Sequence, residues 1–158
     1  MSTESAVAFA TTLHVRDTCM CLHLQRAARA VGRRFDECLR PAGLTAGQFS
    51  LLMSLNRPEP PTIGSVAALL AMDRTSLTAS LKPLERRGLV RIAVDPLDRR
   101  SRRLSLTPAG HAALLAALPL WQLEHAAIDR LLSQPDRLRG DLLALSAVDG
   151  GDTHSSSG

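Results

Sequence analysis

The sequence predicts a mainly α-helical chain that carries one small β-hairpin. Three observations lead there. Apolar residues recur at intervals of three and four over most of the length. Two short strand-like segments, the second of them alternating, flank a turn rich in aspartate and arginine. Proline and glycine stand at the ends of the periodic stretches, where they stop helices. The 158 residues, 45% of them apolar, suffice for one domain with a core of its own, or a small domain with an extension.

Residues 1–14 have no clear period and are expected as a frayed arm. From about Asp17 to Arg40 the apolar positions Leu24, Ala27, Ala28, Val31, Phe35, Cys38 and Leu39 trace one face of a helix, which Pro41 and Gly43 end. Thr45 is placed to cap a second helix running to about Asn56, with Phe49, Leu52, Met53 and Leu55 inward. The segment 57–62 (RPEPPT) is a loop, because three prolines exclude a helix. Thr62 caps a short helix through Leu70, and Ala71 to Asp73 turn the chain. Asp73 then caps a helix from Arg74 to about Arg87, stopped by Gly88 and carrying Pro83 near its end. Leu89 to Val94 is a strand, 95–100 (DPLDRR) a turn, and Arg102 to Leu106 the returning strand. Thr107-Pro108 opens a long helix to about Ser133, which Pro119 should kink. Gln134-Pro135 breaks the chain, Asp136 is placed to cap a last helix to about Ala147, and 148–158 reads as a disordered tail. Two helices joined by a tight turn and followed by a basic two-stranded hairpin form the winged helix-turn-helix pattern.

Charge singles out the same region. Residues 74–103 hold nine basic and three acidic side chains, while the rest of the chain holds ten basic and twelve acidic. A basic block on a near-neutral remainder is the footprint of a polyanionic partner, here double-stranded DNA. In the second helix of the pair, Leu77, Leu81 and Leu84 fall on one side, which leaves Arg74, Thr75, Ser76, Thr78, Ala79, Ser80 and Lys82 free to enter a major groove. Short hydroxyl side chains allow close approach, and Arg74 is suited to guanine. At the hairpin tip, Arg99, Arg100 and Arg102 suit the negative potential of a minor groove, with Arg103 beside them. Asp98 is expected to orient an arginine, since phosphates would repel its carboxylate.

Other function classes find little support. The sequence holds no glycine-rich phosphate loop, no paired metal ligands on a helix and no nucleophile motif, so neither catalysis nor a cofactor is expected. Cys19-x-Cys21 with His23 lacks the second ligand pair of a zinc site. No run approaches the roughly 20 apolar residues of a membrane span, and the N-terminus lacks the basic start of a secretory signal. A cytoplasmic protein without a membrane partner is expected, and three cysteines there make no disulfide framework.

The segments RPAGLTAGQFSLLMSL (40–55), the helix-turn-helix at 62–87, and ERRGLVRIAVDPLDRRSRRLSLTPAGHAAL (85–114) resemble the MarR family of bacterial regulators. The wing pair Asp98-x-Arg100 followed by LSLTPAG is the most specific part, and the likeness extends over about residues 20–146. The resemblance implies an obligate homodimer. Residues 17–44 and 107–147 would form the helical dimerisation region, 45–106 the winged helix-turn-helix, and 1–16 an arm. It further implies a palindromic operator, Arg100 as the minor-groove arginine, and repression relieved by a small phenolic or aromatic effector. His23, Arg26, Phe49 and Trp121 are candidates for the effector pocket, each with a competing core or surface role. Cys21 matches the position of the sensing cysteine in the peroxide-responsive OhrR branch, which implies redox control as an alternative. Against it, the chain contains no tyrosine to activate that thiol, and Gln25 occupies one such place.

Overall fold

The computed structural model of the chain describes residues 6–147. Seven α-helices and one antiparallel hairpin follow in the order α1 (Phe9–Thr18), α2 (Met20–Leu39), α3 (Ala46–Leu55), α4 (Ile63–Leu69), α5 (Arg74–Arg86), β1 (Val90–Val94), β2 (Arg102–Leu106), α6 (Pro108–Asp129) and α7 (Pro135–Ser146). The predicted tail lies outside the described residues.

The expected arm is helical from Phe9, which its sequence concealed. Helix α1 buries no residue, so no core-facing period was present to read. Cys19 is extended (φ −67°, ψ 109°) and separates the two helices, so the first long helix starts at Met20 rather than Asp17. Of the apolar stripe on α2, Leu39 is fully buried and Phe35 and Cys38 pack at the edge of the core. Val31 and the alanines remain exposed. A short 3-10 turn at Arg40–Ala42 ends at Gly43, whose φ of 71° lies in the left-handed region that glycine tolerates best.

Helix α3 opens with a complete capping box, in which Thr45 Oγ1 accepts from the Gln48 amide and Gln48 Oε1 accepts from the Thr45 amide. Asp36 of α2 accepts from the Ala46 amide at 2.7 Å and ties the two helices together. Met53, expected inside, is 41% exposed, and Leu51 is buried instead. The reason is that α3 is covered by α2 and α6 on one side and by α4 and β2 on another. Only a narrow arc with Ser50 and Met53 is left to solvent.

Thr62 caps α4 through the Ser65 amide, and Ala71, at φ 51°, makes the tight turn into α5. Leu77, Leu81 and Leu84 are fully buried, as their spacing requires, and Gly88 (φ 69°) terminates the helix. The strands pair in the register Val90↔Leu106, Ile92↔Leu104 and Val94↔Arg102. The chain before α4 adds an edge to this ribbon, since the Leu104 amide donates to Pro61 O at 2.9 Å.

Helix α6 ends at Asp129, short of the predicted Ser133. Gln134, not Asp136, holds the cap position of α7. Pro135 occupies the first helical position, so Asp136 falls in the first turn, where it faces the positive helix end and pairs with Arg139 at 2.5 Å. Arg139 also binds Asp129, closing the α6–α7 corner, and Arg34 of α2 pairs with Glu124 of α6. The core gathers α3, α4, α5, the hairpin and the first half of α6. Beyond it, Leu115, Leu123, Leu131 and Leu143 are each at least 70% exposed. Among the described residues, no helix is long and apolar enough to cross a membrane.

Candidate nucleic-acid interface

Because three leucines seat α5 in the core, its opposite face is set by the helical period. Arg74, Thr75, Thr78, Ala79 and Lys82 line one open cleft of about 330 Å³. A second cleft of about 360 Å³ runs between the helix pair and the wing, and Arg74 and Thr78 line it together with Asp98, Arg100 and Arg102. The structure therefore joins Arg74 and Thr78 of α5 with Arg100 and Arg102 of the wing in one basic groove. Thr62 and Gly64 of the preceding helix also border it. The sequence analysis read Thr62 as a cap alone and did not single out Gly64.

The hydroxyls on α5 differ in what remains free. Thr78 Oγ1 donates to Arg74 O at 2.8 Å, which leaves its oxygen as an acceptor in the groove, whereas Ser80, whose Oγ donates to Ser76 O at 3.0 Å, lies in a separate cleft beside Thr45, Gln48 and Pro83. Ser76 is drawn into the cap, where its amide and its hydroxyl both donate to the Asp73 carboxylate at 2.8 and 2.7 Å. The Ser76 hydroxyl and then its amide hold the Asp73 carboxyl below the ordinary range.

The wing tip is built on its aspartates. Asp98 Oδ1 accepts from the Arg100 amide at 3.0 Å, and Asp98 O accepts from the Ser101 amide at 2.9 Å. Asp98 thus orients Arg100 through the main chain, by an Asx turn, and not through the guanidinium. Arg102 Nη1 donates to Arg99 O and Ser101 O, both at 3.2 Å, so this side chain shapes the loop as well as facing the groove. Arg99 and Arg100 remain exposed, with no side-chain partner among the described residues. Arg103 turns away from the tip and donates to Asp95 at 2.9 Å and to Pro60 O at 2.9 Å.

Asp95, counted in the sequence only as a turn acid, is buried at 4% exposure. The Leu97 amide, and after it Arg103, hold its carboxyl below the usual carboxylate range against the opposing effect of burial. A carboxyl depressed in the folded state contributes stability above its unfolded pKa of about 4, and loses it as pH falls through the folded value. Asp95→Asn is therefore expected to lower Tm at pH 7 and to narrow the difference in Tm between pH 7 and strongly acidic solution. An unchanged pH profile of Tm would show that this pair does not hold the wing.

The sequence model of the MarR family matches residues 42–101. The DNA complex of the transcriptional regulator MosR from M. tuberculosis superposes with TM-score 0.76 at 38% identity, covering 81% of this chain and 93% of that one. The chain belongs to the MarR family. CouR, a transcriptional repressor solved on a 23-mer DNA duplex, matches at TM-score 0.69 and 33% identity over 84% of this chain and 93% of its own. The transcriptional activatory protein BadR of Rhodopseudomonas palustris is 31% identical over 55% of this chain and 51% of its own length. The chain spans about half the length of the curated relatives it matches. These MarR-family relatives are transcriptional regulators, and the chain shares their DNA-binding winged helix.

The candidate pocket residues of this MarR-family chain divide between two places. His23 and Arg26 lie with Arg29 and Arg33 on one open, basic face of α2. Phe49 is buried and stacks on Trp121 (centroids 6.1 Å apart, planes at 23°), which stacks in turn on His125 (4.5 Å, 10°). A single pocket holding all four is not formed within one chain. His23 Nδ1–H donates to Cys19 O at 2.8 Å, which fixes the ring at the start of α2. Cys21 is exposed in the first turn of α2, where the Gln25 side-chain amide donates to its sulfur at 3.4 Å. Cys38 is half-buried, and burial, then the charge of Glu124, pushes its thiol up. Among the described residues, no group of three or more histidine, cysteine or acidic side chains converges on a metal position.

Proposed function

We propose that the chain is a homodimeric, sequence-specific repressor of transcription that grips a palindromic operator and is released by a small aromatic acid. The observation that carries this reading is the shared groove, where Arg74 and Thr78 of α5 face Arg100 and Arg102 of the wing. A helix for the major groove and an arginine ribbon for the adjacent minor groove are the two parts such a reader needs. Arg74, Thr75, Thr78, Lys82, Arg99 and Arg100 act at the duplex in this reading, and Ser80, on the flank of α5 toward α3, does not. Ser76, Asp98 and Arg102 shape the elements that present them. The cytoplasm is the compartment where it would work.

The apolar faces of α2, α6 and α7 support the dimer. Two long helices with leucines more than two-thirds exposed are poorly suited to a free monomer, and a second copy would cover them. Residues 17–44 and 107–147 would then be the dimerisation region, and 45–106 the reading head, with half-sites roughly 34–36 Å apart. Selection from a pool of random duplexes should enrich an inverted repeat, and log affinity should fall steeply with log salt. Sedimentation at about 10 μM, well above the sub-micromolar range typical of stable dimers, should give twice the 17.0 kDa chain mass. A single-chain mass, or no enriched sequence, would end this reading.

For the effector, the basic face of α2 with His23, Arg26, Arg29 and Arg33 suits an anion. CouR has been solved with p-coumaroyl-CoA, at 28% identity and TM-score 0.74. Release of the selected duplex by p-coumaroyl-CoA or p-coumarate, lost on Arg26→Ala, is the expected result. Release that survives Arg26→Ala would move the site elsewhere.

The exposure of Cys21 in a first helical turn favours a second reading, control by organic peroxide. Here Cys21→Ser is expected to abolish peroxide-driven release of DNA. Unaltered release by the variant would rule out this thiol as the sensor.

A further inference from the structure

We propose that Gly64 is a positioning residue for DNA reading. By lacking a side chain it seats the Arg74 guanidinium across α4, so that Arg74 works in the wing groove beside Arg100. The inference rests on the DNA-binding reading and adds a residue to it.

Gly64 is the second residue of α4, and its φ is not in the left-handed region, so the backbone does not call for glycine there. In a helix, glycine is about 1 kcal/mol less favourable than alanine. The space it leaves is occupied. A Cβ on Gly64 would lie 2.9 Å from Arg74 Nη2, 3.6 Å from Cζ and 3.9 Å from Nε, so one edge of the guanidinium rests over the bare Cα.

Arg74 is itself oddly placed for stability. It is the first residue of α5, where the helix end is positive and an acidic residue would be favoured, and the first turn contains no acid. Its side chain has no hydrogen-bonded or ion-pair partner among the described residues, and Thr78 binds only its carbonyl. Its position over Gly64 instead brings it to the groove lined by Arg100 and Arg102. A methyl at residue 64 would meet only the far end of a flexible side chain. The arginine would give way while the fold persists.

The test is a double-mutant cycle on the duplex that the wild-type protein selects from a random pool, about 30 base pairs long to span two half-sites. Gly64→Ala should melt no lower than the wild type and bind that duplex about three- to tenfold more weakly. Arg74→Ala should bind at least tenfold more weakly and discriminate less at the base pair it reads. In the Arg74→Ala background, Gly64→Ala should have no further effect. An equal loss in both backgrounds, or none in either, overturns the positioning role while leaving DNA binding intact. If the wild-type protein selects no sequence, the underlying reading falls and this inference with it.

Discussion

Replacing Arg100 by alanine is expected to weaken DNA binding about 10- to 100-fold, corresponding to about 1–3 kcal/mol for a well-placed guanidinium. The side chain stands exposed at the wing tip and Asp98 anchors its amide, so the backbone that carries the arginine is set before DNA arrives. For the proposed contact to a minor groove and its phosphates, the loss should be similar across sequences. The slope of log affinity against log salt should also become shallower by about one ion. The neighbouring arginines give a contrast. Arg102→Ala removes two bonds to wing carbonyls, and Arg103→Ala breaks the pair with buried Asp95. Both should therefore disturb the wing itself, Arg103→Ala by lowering Tm. Fluorescence anisotropy of a labelled duplex at several salt concentrations separates these cases. If Arg100→Ala keeps both affinity and slope, the wing does not enter the groove.

Local chemistry was the most readable part of this chain. Thr45, Thr62, Asp73 and Thr107 were each named as caps from residue type and position, and each accepts the amide three residues on. The leucine triad of α5 followed from the helical period and the strand Arg102–Leu106 from alternation, while the first strand starts at Val90, one residue later than read. Where burial depends on what lies across the molecule, the period was a weaker guide. It marked an apolar side of α2 but could not say that one chain leaves most of it uncovered. Met53 faces out because α3 is covered from two directions, which a one-sided pattern does not encode. The candidate interface divides in the same way. The exposed face of α5 was legible because its buried face was. The Asp95–Arg103 pair, the seating of Arg74 on Gly64 and the separation of Phe49 and Trp121 from His23 all arise from contacts between segments distant in sequence or in the turn geometry, with no period of their own.

Gly110→Ala is expected to be the most destabilising single methyl added to this protein, at about 3 kcal/mol or more. Thr107-Pro108-Ala109-Gly110 joins the wing to α6 through several bonds in a small space. The Thr107 amide donates to Leu89 O at 3.1 Å, the Thr107 hydroxyl to Gly88 O at 2.5 Å, and the Gly110 amide to the Thr107 hydroxyl at 3.0 Å. A Cβ on buried Gly110 would lie 2.1 Å from Leu89 O and 3.2 Å from its carbonyl carbon, with Leu106 Cδ2 at 3.3 Å on another side. Unlike the arginine above Gly64, the obstacle is backbone at the foot of β1 and cannot swing aside. Either the Thr107–Leu89 bond breaks or α6 lifts from the wing. Tm should fall by roughly 6–12 °C for a chain of this size. Because α6 links the reading head to the proposed dimer face, duplex affinity should fall as well, even where the protein remains folded. Gly47→Ala is the matched control. It lies in the first turn of α3, outside the proposed dimerisation region, with nothing in reach of the added methyl, and should leave Tm unchanged or raise it, by up to about 1 kcal/mol of stability. If Gly110→Ala melted within a degree or two of the wild type, α6 could not be seated against β1 as closely as these distances require.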